Sequence, residues 1–538
     1  MSLSSVPEAH APAQRAWWRG AAIYQVYPRS FADSNGDGVG DLPGITAHLE
    51  HIASLGVAAI WLSPFFTSPM KDFGYDISDY RNVDPVFGTL ADFDYLVARA
   101  HQLGLKVIID QVLSHTSDRH AWFQESRSSR DNPKADWYVW ADSKADGSPP
   151  SNWQSVFGGP AWAWDARRGQ YYLHNFLTEQ PDLNVHNMTV QDALLDCASF
   201  WLDRGVDGFR LDAINYVMHD PALRDNPPAP EDGRPRTRSC DFQLPVYNKS
   251  HAEIPRFIER IRKLADSRGE LFTVAEVGGA GAEAEMKRFT SGTTHFHSAY
   301  GFNFLYADRL TPQLVEQAIS AWPEGDGIGW PSWAFSNHDA PRAVTRWASA
   351  HDRAAIARLT TLLLACMRGN IFIYQGEELG LPQAQIAFEQ LKDPEAIANW
   401  PLTLGRDGAR TPMPWTADAP PSAVQPWLPI VPEHRALAVD RQERDPVSQL
   451  AYTRRVLALR NRYDALISGS VQILEASDAI LAFERKWREQ RLLCVFNLST
   501  SPRDWKPSGD GRWRIIERSG SVEDWKLPGL SGLIAERV

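Results

Sequence analysis

A chain of 538 residues is too long for one ordinary domain and predicts two or three. Its net charge of −11, with the basic residues dispersed, argues against a nucleic-acid partner. Four cysteines (Cys197, Cys240, Cys366, Cys494) carry no metal or redox spacing and point to a reducing compartment. The segment 1–20 holds no apolar run of signal-peptide length, and nothing approaches the ~18 consecutive apolar residues of a membrane span. The expectation is a cytoplasmic protein with no membrane partner.

Strand-like runs alternate with amphipathic segments from Ala22 onward. AIYQVY (22–27) reads as a strand, 42–55 as a helix, VAAIWL (57–62) as a strand, 90–103 as a helix and LKVIIDQV (105–112) as the third strand. These strands are apolar throughout rather than alternating, which marks a parallel sheet buried on both faces. The rhythm fails after Val112 for some sixty residues rich in Trp, Asp, Ser, Pro and Gly, which read as an inserted irregular domain. It then resumes: helix 190–204, strand VDGFRL, helix 253–268, strand LFTVAE, a weaker unit near 299–321, strand WAFSN, helix 352–367 and strand IFIYQ. Eight strand–helix units predict an α/β fold of the TIM (β/α)8 type. The expected divisions are barrel over 1–112 and 176–465, inserted domain over 113–175, and a C-terminal antiparallel β-sandwich over 466–538. Two long loops, 219–251 and 379–446, are rich in Pro and charge.

In such a barrel the C-terminal strand ends point into the active site. Those positions carry Asp110 on the third strand, Arg210 and Asp212 on the fourth, Glu276 on the fifth, and His338 with Asp339 after the seventh. One strand-end acid is usually a cap or a solvated loop residue; four at one mouth are not. Convergent carboxylates without a Cys/His metal cluster suit glycoside hydrolysis, in which one acid captures an oxocarbenium-like centre and another protonates the leaving oxygen. Arg210 shares a strand face with Asp212 and would keep it ionised. Burial behind LFTVA would raise Glu276 toward the range of a general acid. Twenty-one Trp add flat faces suited to sugar rings.

GVDGFRLDA (205–213), VAEVGG (274–279), FSNHD (335–339), DQVLSHTS (110–117) and QPDLNV (180–185) together resemble the motifs of the α-amylase family of glycoside hydrolases, within its α-glucosidase and oligo-1,6-glucosidase branch. The resemblance runs from IYQVYPRSF (23–31) into the C-terminal sandwich. It implies Asp212 as nucleophile, Glu276 as acid/base and Asp339 as the clamp on the sugar 2- and 3-hydroxyls, hence a retaining mechanism. It further implies substrate contacts from Asp76 (4- and 6-hydroxyls), His115, His338, Arg210 and Arg410, with Phe157 and Phe176 as aromatic walls. The family's first motif usually has Asn before its His; Ser114 stands here, and a water or a shifted loop is expected to compensate. Ala213, where this branch places Val for α-1,6 linkages, points to short α-1,4 substrates such as maltose.

In DSNGDGVGD (33–41), Asp33, Asn35, Asp37, the Val39 carbonyl and Asp41 alternate as oxygen ligands of a hard cation do, although Gly44 denies the loop an EF-hand's final carboxylate. The resemblance implies a structural Ca2+, with Mg2+ as the alternative, and no organic cofactor. Two rival functions follow. One is another enzyme on the same scaffold, an oligo-1,6-glucosidase or a dedicated glucosyltransferase or sucrose isomerase, since the same intermediate forms and sugar or alcohol acceptors can intercept it; the absence of an arginine-rich segment near 290–310 disfavours the isomerase. The other is a non-catalytic binding relative, which retention of all three acids disfavours.

Overall fold

The computed structural model describes residues 16–538 apart from 232, 234, 235, 280, 324, 326, 328, 403, 404, 419–423, 509 and 510. Eight parallel strands close into a barrel: β1 (Ala22–Val26), β2 (Ala59–Leu62), β3 (Lys106–Val112), β4 (Gly208–Asp212), β5 (Phe272–Val277), β6 (Ser298–Gly301), β7 (Trp330–Ala334) and β8 (Asn370–Tyr374). Each strand pairs with its neighbour in the chain, and β8 returns to β1. This is the order that right-handed strand–helix–strand crossovers produce.

Side chains alternate across each strand, which accounts for the continuous apolar runs. One set (Tyr24, Ile60, Ile109, Leu211, Val277, Ile373) packs outward under the helices, and the other (Ile23, Ala59, Ile108, Val274, Phe372) fills the barrel. The inward set turns polar toward the C-terminal ends of β3, β4 and β5, where it carries Asp110, Arg210, Asp212 and Glu276.

Three departures from the sequence reading have local causes. The helix expected over 42–55 is two, Leu42–Ala47 and Leu49–Ser54. At the break the His48 ring bonds the Gly44 carbonyl at 2.8 Å, competing with the backbone ladder. Strand β7 lies three residues earlier than WAFSN, because Ser336 and Asn337 are spent on the following turn, accepting from the amides of Ala343 and Asp339. The C-terminal β-structure is one five-stranded antiparallel sheet plus a two-stranded ribbon, Arg503–Asp504 with Lys526–Leu527. Leu481, Phe483 and Phe496 on one face of the sheet join the barrel core, while Ala482, Leu493 and Val495 on the other pack with Trp505 and Trp525 of the ribbon region.

The segment after β3 holds a small antiparallel sheet of Trp140–Ala141, Gln170–Leu173 and Trp162–Asp165 around buried Trp153 and Trp162. It returns toward the barrel mouth through bonds from Thr116 N to Pro181 O and from Leu183 N to Ser114 O.

Helix Gln449–Arg462 is tied to the barrel floor by the buried Arg460, which donates to the carbonyls of Ala365 (2.6 Å), Met367 (3.2 Å), Gly20 (3.0 Å) and Gly369 (2.7 Å). Arg460→Ala strips donors from four carbonyls and is predicted to cost about 3–5 kcal/mol, with Arg460→Lys recovering only part. Thermal unfolding of the three proteins checks this; equal melting temperatures would refute it.

Candidate active site

The barrel register builds the centre of the site. Asp110 pairs with Arg210 across β3 and β4, and Glu276 with Tyr300 across β5 and β6. Arg210 is fully buried. Its Nη1 holds Asp110 (2.6 Å) and Asp212 (2.5 Å), its Nη2 lies against Glu276, and its Nε donates to the Tyr300 hydroxyl (3.2 Å). Trp61 lies under the guanidinium at 5.1 Å and donates from its ring N–H to Asp110. Three carboxyls on one cation cannot all stay charged at no cost away from water. Burial, with Asp212 and Asp339 nearby, pushes Glu276 up to about 8 despite Arg210. Burial also raises Asp110 to about 7 and pushes Asp212 upward against the pull of Arg210.

Asp339 has the opposite environment. Burial opposes its charge, but His338, Arg410 and Arg406 outweigh burial and hold the carboxyl well below the usual carboxylate range. Arg410 donates from Nη2 to Asp339 (2.6 Å) and from Nε to the His338 carbonyl (2.7 Å). The His338 ring, held neutral by burial (down to about 3), lies 3.2 Å from Asp339 and 2.6 Å from the Tyr75 hydroxyl, stacked between Tyr75 and Tyr27.

His115 completes the rim. Its Nδ1 meets Ser114 Oγ at 2.9 Å and its Nε2 meets the Gln180 amide at 3.1 Å. Ser114 thus bonds the neighbouring imidazole directly, in place of the expected water or shifted loop. Phe176 packs on His115 (5.1 Å) and on Phe157 (5.9 Å), and Phe157 lies 5.0 Å beneath the Arg406 guanidinium. Both rings therefore border the polar cluster.

Ala213 closes the β4 turn in a left-handed conformation (φ 38, ψ 42) and donates its amide to Glu276 at 3.1 Å. For a non-glycine residue that backbone stores on the order of 1 kcal/mol, and a β-branched side chain would add to it.

Asp76 is the exception. Its carboxyl accepts from the Ser68 hydroxyl and from the amides of Lys71 and Asp72, all at 2.8–2.9 Å, so it holds its own loop together. The residue of this loop that reaches the cluster is Asp72, which binds Arg406 (2.9 Å) and accepts from Gln180 (3.2 Å). Sequence reading passed over Asp72, Tyr75, Gln180, Tyr300 and Arg406. Three of these neighbour predicted site residues: Tyr75 adjoins Asp76, Asp72 lies four residues before Asp76, and Arg406 lies four residues before Arg410.

The loop 33–41 folds around its own side chains. Asp33 accepts from the amides of Gly36 (2.7 Å) and Gly38 (2.8 Å), and Asn35 and Asp37 accept from those of Asp37 and Val39. Gly36 and Gly38 sit at φ +79 and +89, which the tight wrap requires. Asp41 differs from the others, since its two oxygens cap Gly44 and hold Ser34. Asp33, Asn35 and Asp37 are exposed oxygen donors and fit a hard cation.

A barrel mouth that sets a proton-bearing carboxyl beside ionised ones, with no cysteine or histidine nucleophile among them, defines an enzyme that works through carboxyl chemistry. Residues 25–469 match the family described as "Alpha amylase, catalytic domain", and the chain belongs to the alpha-amylase family. It is 52% identical over 508 residues to a probable alpha-glucosidase of Rhizobium meliloti (strain 1021), covering 93% of this chain and 92% of that one. It is 37% identical to an oligo-1,6-glucosidase of Halalkalibacterium halodurans, over 89% of this chain and 90% of the relative. The solved alpha-glucosyl transfer enzyme XgtA superposes with a TM-score of 0.94 at 50% identity, covering 98% of this chain and all of that one. Among the described residues no helix is long and apolar enough to cross a membrane.

The two aspartates of the 68–76 loop are separable. Asp72→Asn is predicted to lower kcat/KM by about 100-fold, the loss of a buried charged contact. Asp76→Asn should instead lower the melting temperature and leave kcat/KM within a few-fold. The reverse pattern would reassign the pair.

Proposed function

We propose that this chain is a retaining, exo-acting α-glucosidase that releases glucose from short α-1,4-glucosides and also transfers glucose to sugar or alcohol acceptors. The observation that carries the reading is the grip of Asp212 and Glu276 on adjacent nitrogens of Arg210. It supports the close carboxyl spacing of a retaining enzyme over the wider gap that an inverting enzyme keeps for an intervening water. Asp212 attacks the anomeric carbon while Glu276 gives its proton to the glycosidic oxygen, and the C–O bond to the leaving group breaks. Glu276, now a carboxylate, takes the proton of the incoming water or sugar hydroxyl as the glucosyl ester is cleaved. Asp339, kept anionic, accepts from the ring 2- and 3-hydroxyls, and the neutral His115 and His338 offer further bonds. Asp72 with Arg406 takes the place first given to Asp76, at the far hydroxyls.

Contacts between the loops support a short pocket. Arg238 of loop 219–251 pairs with Glu395 of loop 379–446 at 3.2 Å, and Asn399 donates to the Phe157 carbonyl at 3.3 Å. The small Ala213 beside Glu276 supports the α-1,4 preference, and the likeness to XgtA supports transfer. A cation at loop 33–41 would sit with Asp33, Asn35, Asp37 and the Val39 carbonyl and would stabilise the first loop of the barrel; no catalytic step passes through it.

Release of 4-nitrophenol from its α-glucoside tests the reading. Asp212→Asn and Glu276→Gln should each lose at least ~1,000-fold, and a quenched turnover should leave the wild-type chain one hexosyl group heavier at Asp212. An Asp212 variant as fast as wild type would refute the mechanism. The group raised to about 8 is the acid, which must be protonated, so kcat/KM should fall as pH rises through about 8. At low pH it should fall as Asp212 takes up its proton. The bell should lose its alkaline limb in Glu276→Gln assayed with a substrate whose phenol needs no protonation. Ca2+ should raise the melting temperature and a chelator lower it, and Asp33→Ala with Asp37→Ala should abolish both responses.

A further inference from the structure

We infer that His186, His251 and Glu253 form a binding site for a divalent transition-metal ion of the zinc class at the neck of loop 219–251. One ligand atom from each of the three lies within 4.8 Å of the others. His186 Nδ1 is 3.8 Å from Glu253 Oε2, and the two imidazole rings meet edge to face with centroids 4.9 Å apart. Tetrahedral zinc, with bonds of about 2.0–2.1 Å, sets its ligands roughly 3.3 Å apart, so the His186–Glu253 pair needs to close by about half an ångström. The Glu253 side chain is 46% exposed and can make that movement.

The orientation of His186 is the second indication. Its Nε2 lies 2.8 Å from the carbonyl of His219, which acts as the acceptor. The proton therefore sits on Nε2, and the Nδ1 lone pair is directed toward Glu253. A backbone carbonyl on the distal nitrogen is the support that fixes a metal-binding imidazole. Glu253 uses its other oxygen for Arg256 (2.8 Å), which leaves Oε2 for an ion. His251 Nδ1 accepts only a long bond (3.3 Å) from the Glu253 amide, and a metal that takes that lone pair displaces one weak contact. Two imidazoles and one carboxylate suit Zn2+, Co2+ or Ni2+ and disfavour Ca2+ and Mg2+. Three protein ligands leave the fourth position to water.

The place of the site gives it a consequence. His219 opens loop 219–251 and His251 closes it, while His186 directly follows the QPDLNV segment that carries Gln180. An ion here pins the end of the loop to the barrel side of the mouth. This site is independent of the oxygen-lined loop 33–41 and of the catalytic assignment.

Titration of the chelator-stripped full-length protein with ZnCl2, followed calorimetrically, tests the proposal. The expected result is one saturable equivalent of Zn2+ with a Kd of about 10 µM or tighter and, at tenfold excess over Kd, a rise of about 1 °C in melting temperature. His186→Asn and His251→Gln should each weaken binding by at least ~10-fold, Glu253→Gln by a few-fold, and all three should remove the thermal shift. Co2+ should give visible absorption bands that His251→Gln removes. Glu253→Gln and His251→Gln lie at exposed or half-buried positions, so metal-free melting temperatures matching wild type will separate lost binding from lost folding. No saturable Zn2+ binding below about 100 µM, or binding unchanged in both histidine variants, would overturn the proposal.

Discussion

The buried guanidinium of Arg210 is the constraint on which the rest of the site depends. It sits inside a closed barrel with Asp110, Asp212 and Glu276 against it and Trp61 beneath it. Desolvating such a cation is costly, and only close, well-aligned carboxylates offset that cost. The strand register supplies the alignment, because Asp110 pairs directly with Arg210 and Glu276 enters from the next strand on the same inward face. A one-residue slip of β4 would turn both Arg210 and Asp212 outward among the helices. Closure of the barrel is thus what allows the three acids to share one cation.

That sharing divides the site into two electrical halves. Around Arg210 the acids outnumber the cation, so burial drives a proton onto one of them and Glu276 is raised to about 8. Around Asp339 two arginines face one carboxyl in direct reach, and the same burial fails to protonate it. Chemically similar groups a few residues' width apart are held in opposite states by the count of neighbouring charges. The proposed roles, one acid giving a proton and another holding hydroxyls by charge, call for those two states.

How much of this was legible in the sequence follows from how each residue is placed. Asp110, Arg210, Asp212 and Glu276 sit on strands, where a period of two and an apolar run fix both element and facing. Asp339 is legible as a strand-end acid although it lies beyond β7, on a turn built by Ser336 and Asn337. Asp72 and Asp76 differ by four residues in one loop. Which of them meets Arg406, more than 300 residues away, is decided by the fold of the loop and not by its composition. The C-terminal ribbon escaped notice because two-residue strands carry no periodicity. Arg406 and Gln180 reach the site through their contacts with Asp72 and His115 on other loops, which local sequence does not record.

The same division bears on specificity. The carboxyls proposed to make and break the glucosyl bond are rooted in β4 and β5, buried, and coupled through Arg210 strongly enough that changing one disturbs the other. In the proposed reading, the groups that border an acceptor or a longer chain belong to loops joined by partly exposed pairs such as Arg238–Glu395, worth at most about 1 kcal/mol each. Substitutions there alter what enters the pocket at small cost to folding, whereas substitutions around Arg210 alter the chemistry and the core together. A scaffold built this way can keep one bond-breaking centre while linkage, chain length and acceptor vary. Relatives bearing glucosidase and glucosyl-transfer names, each about half identical to this chain, are what such a separation produces.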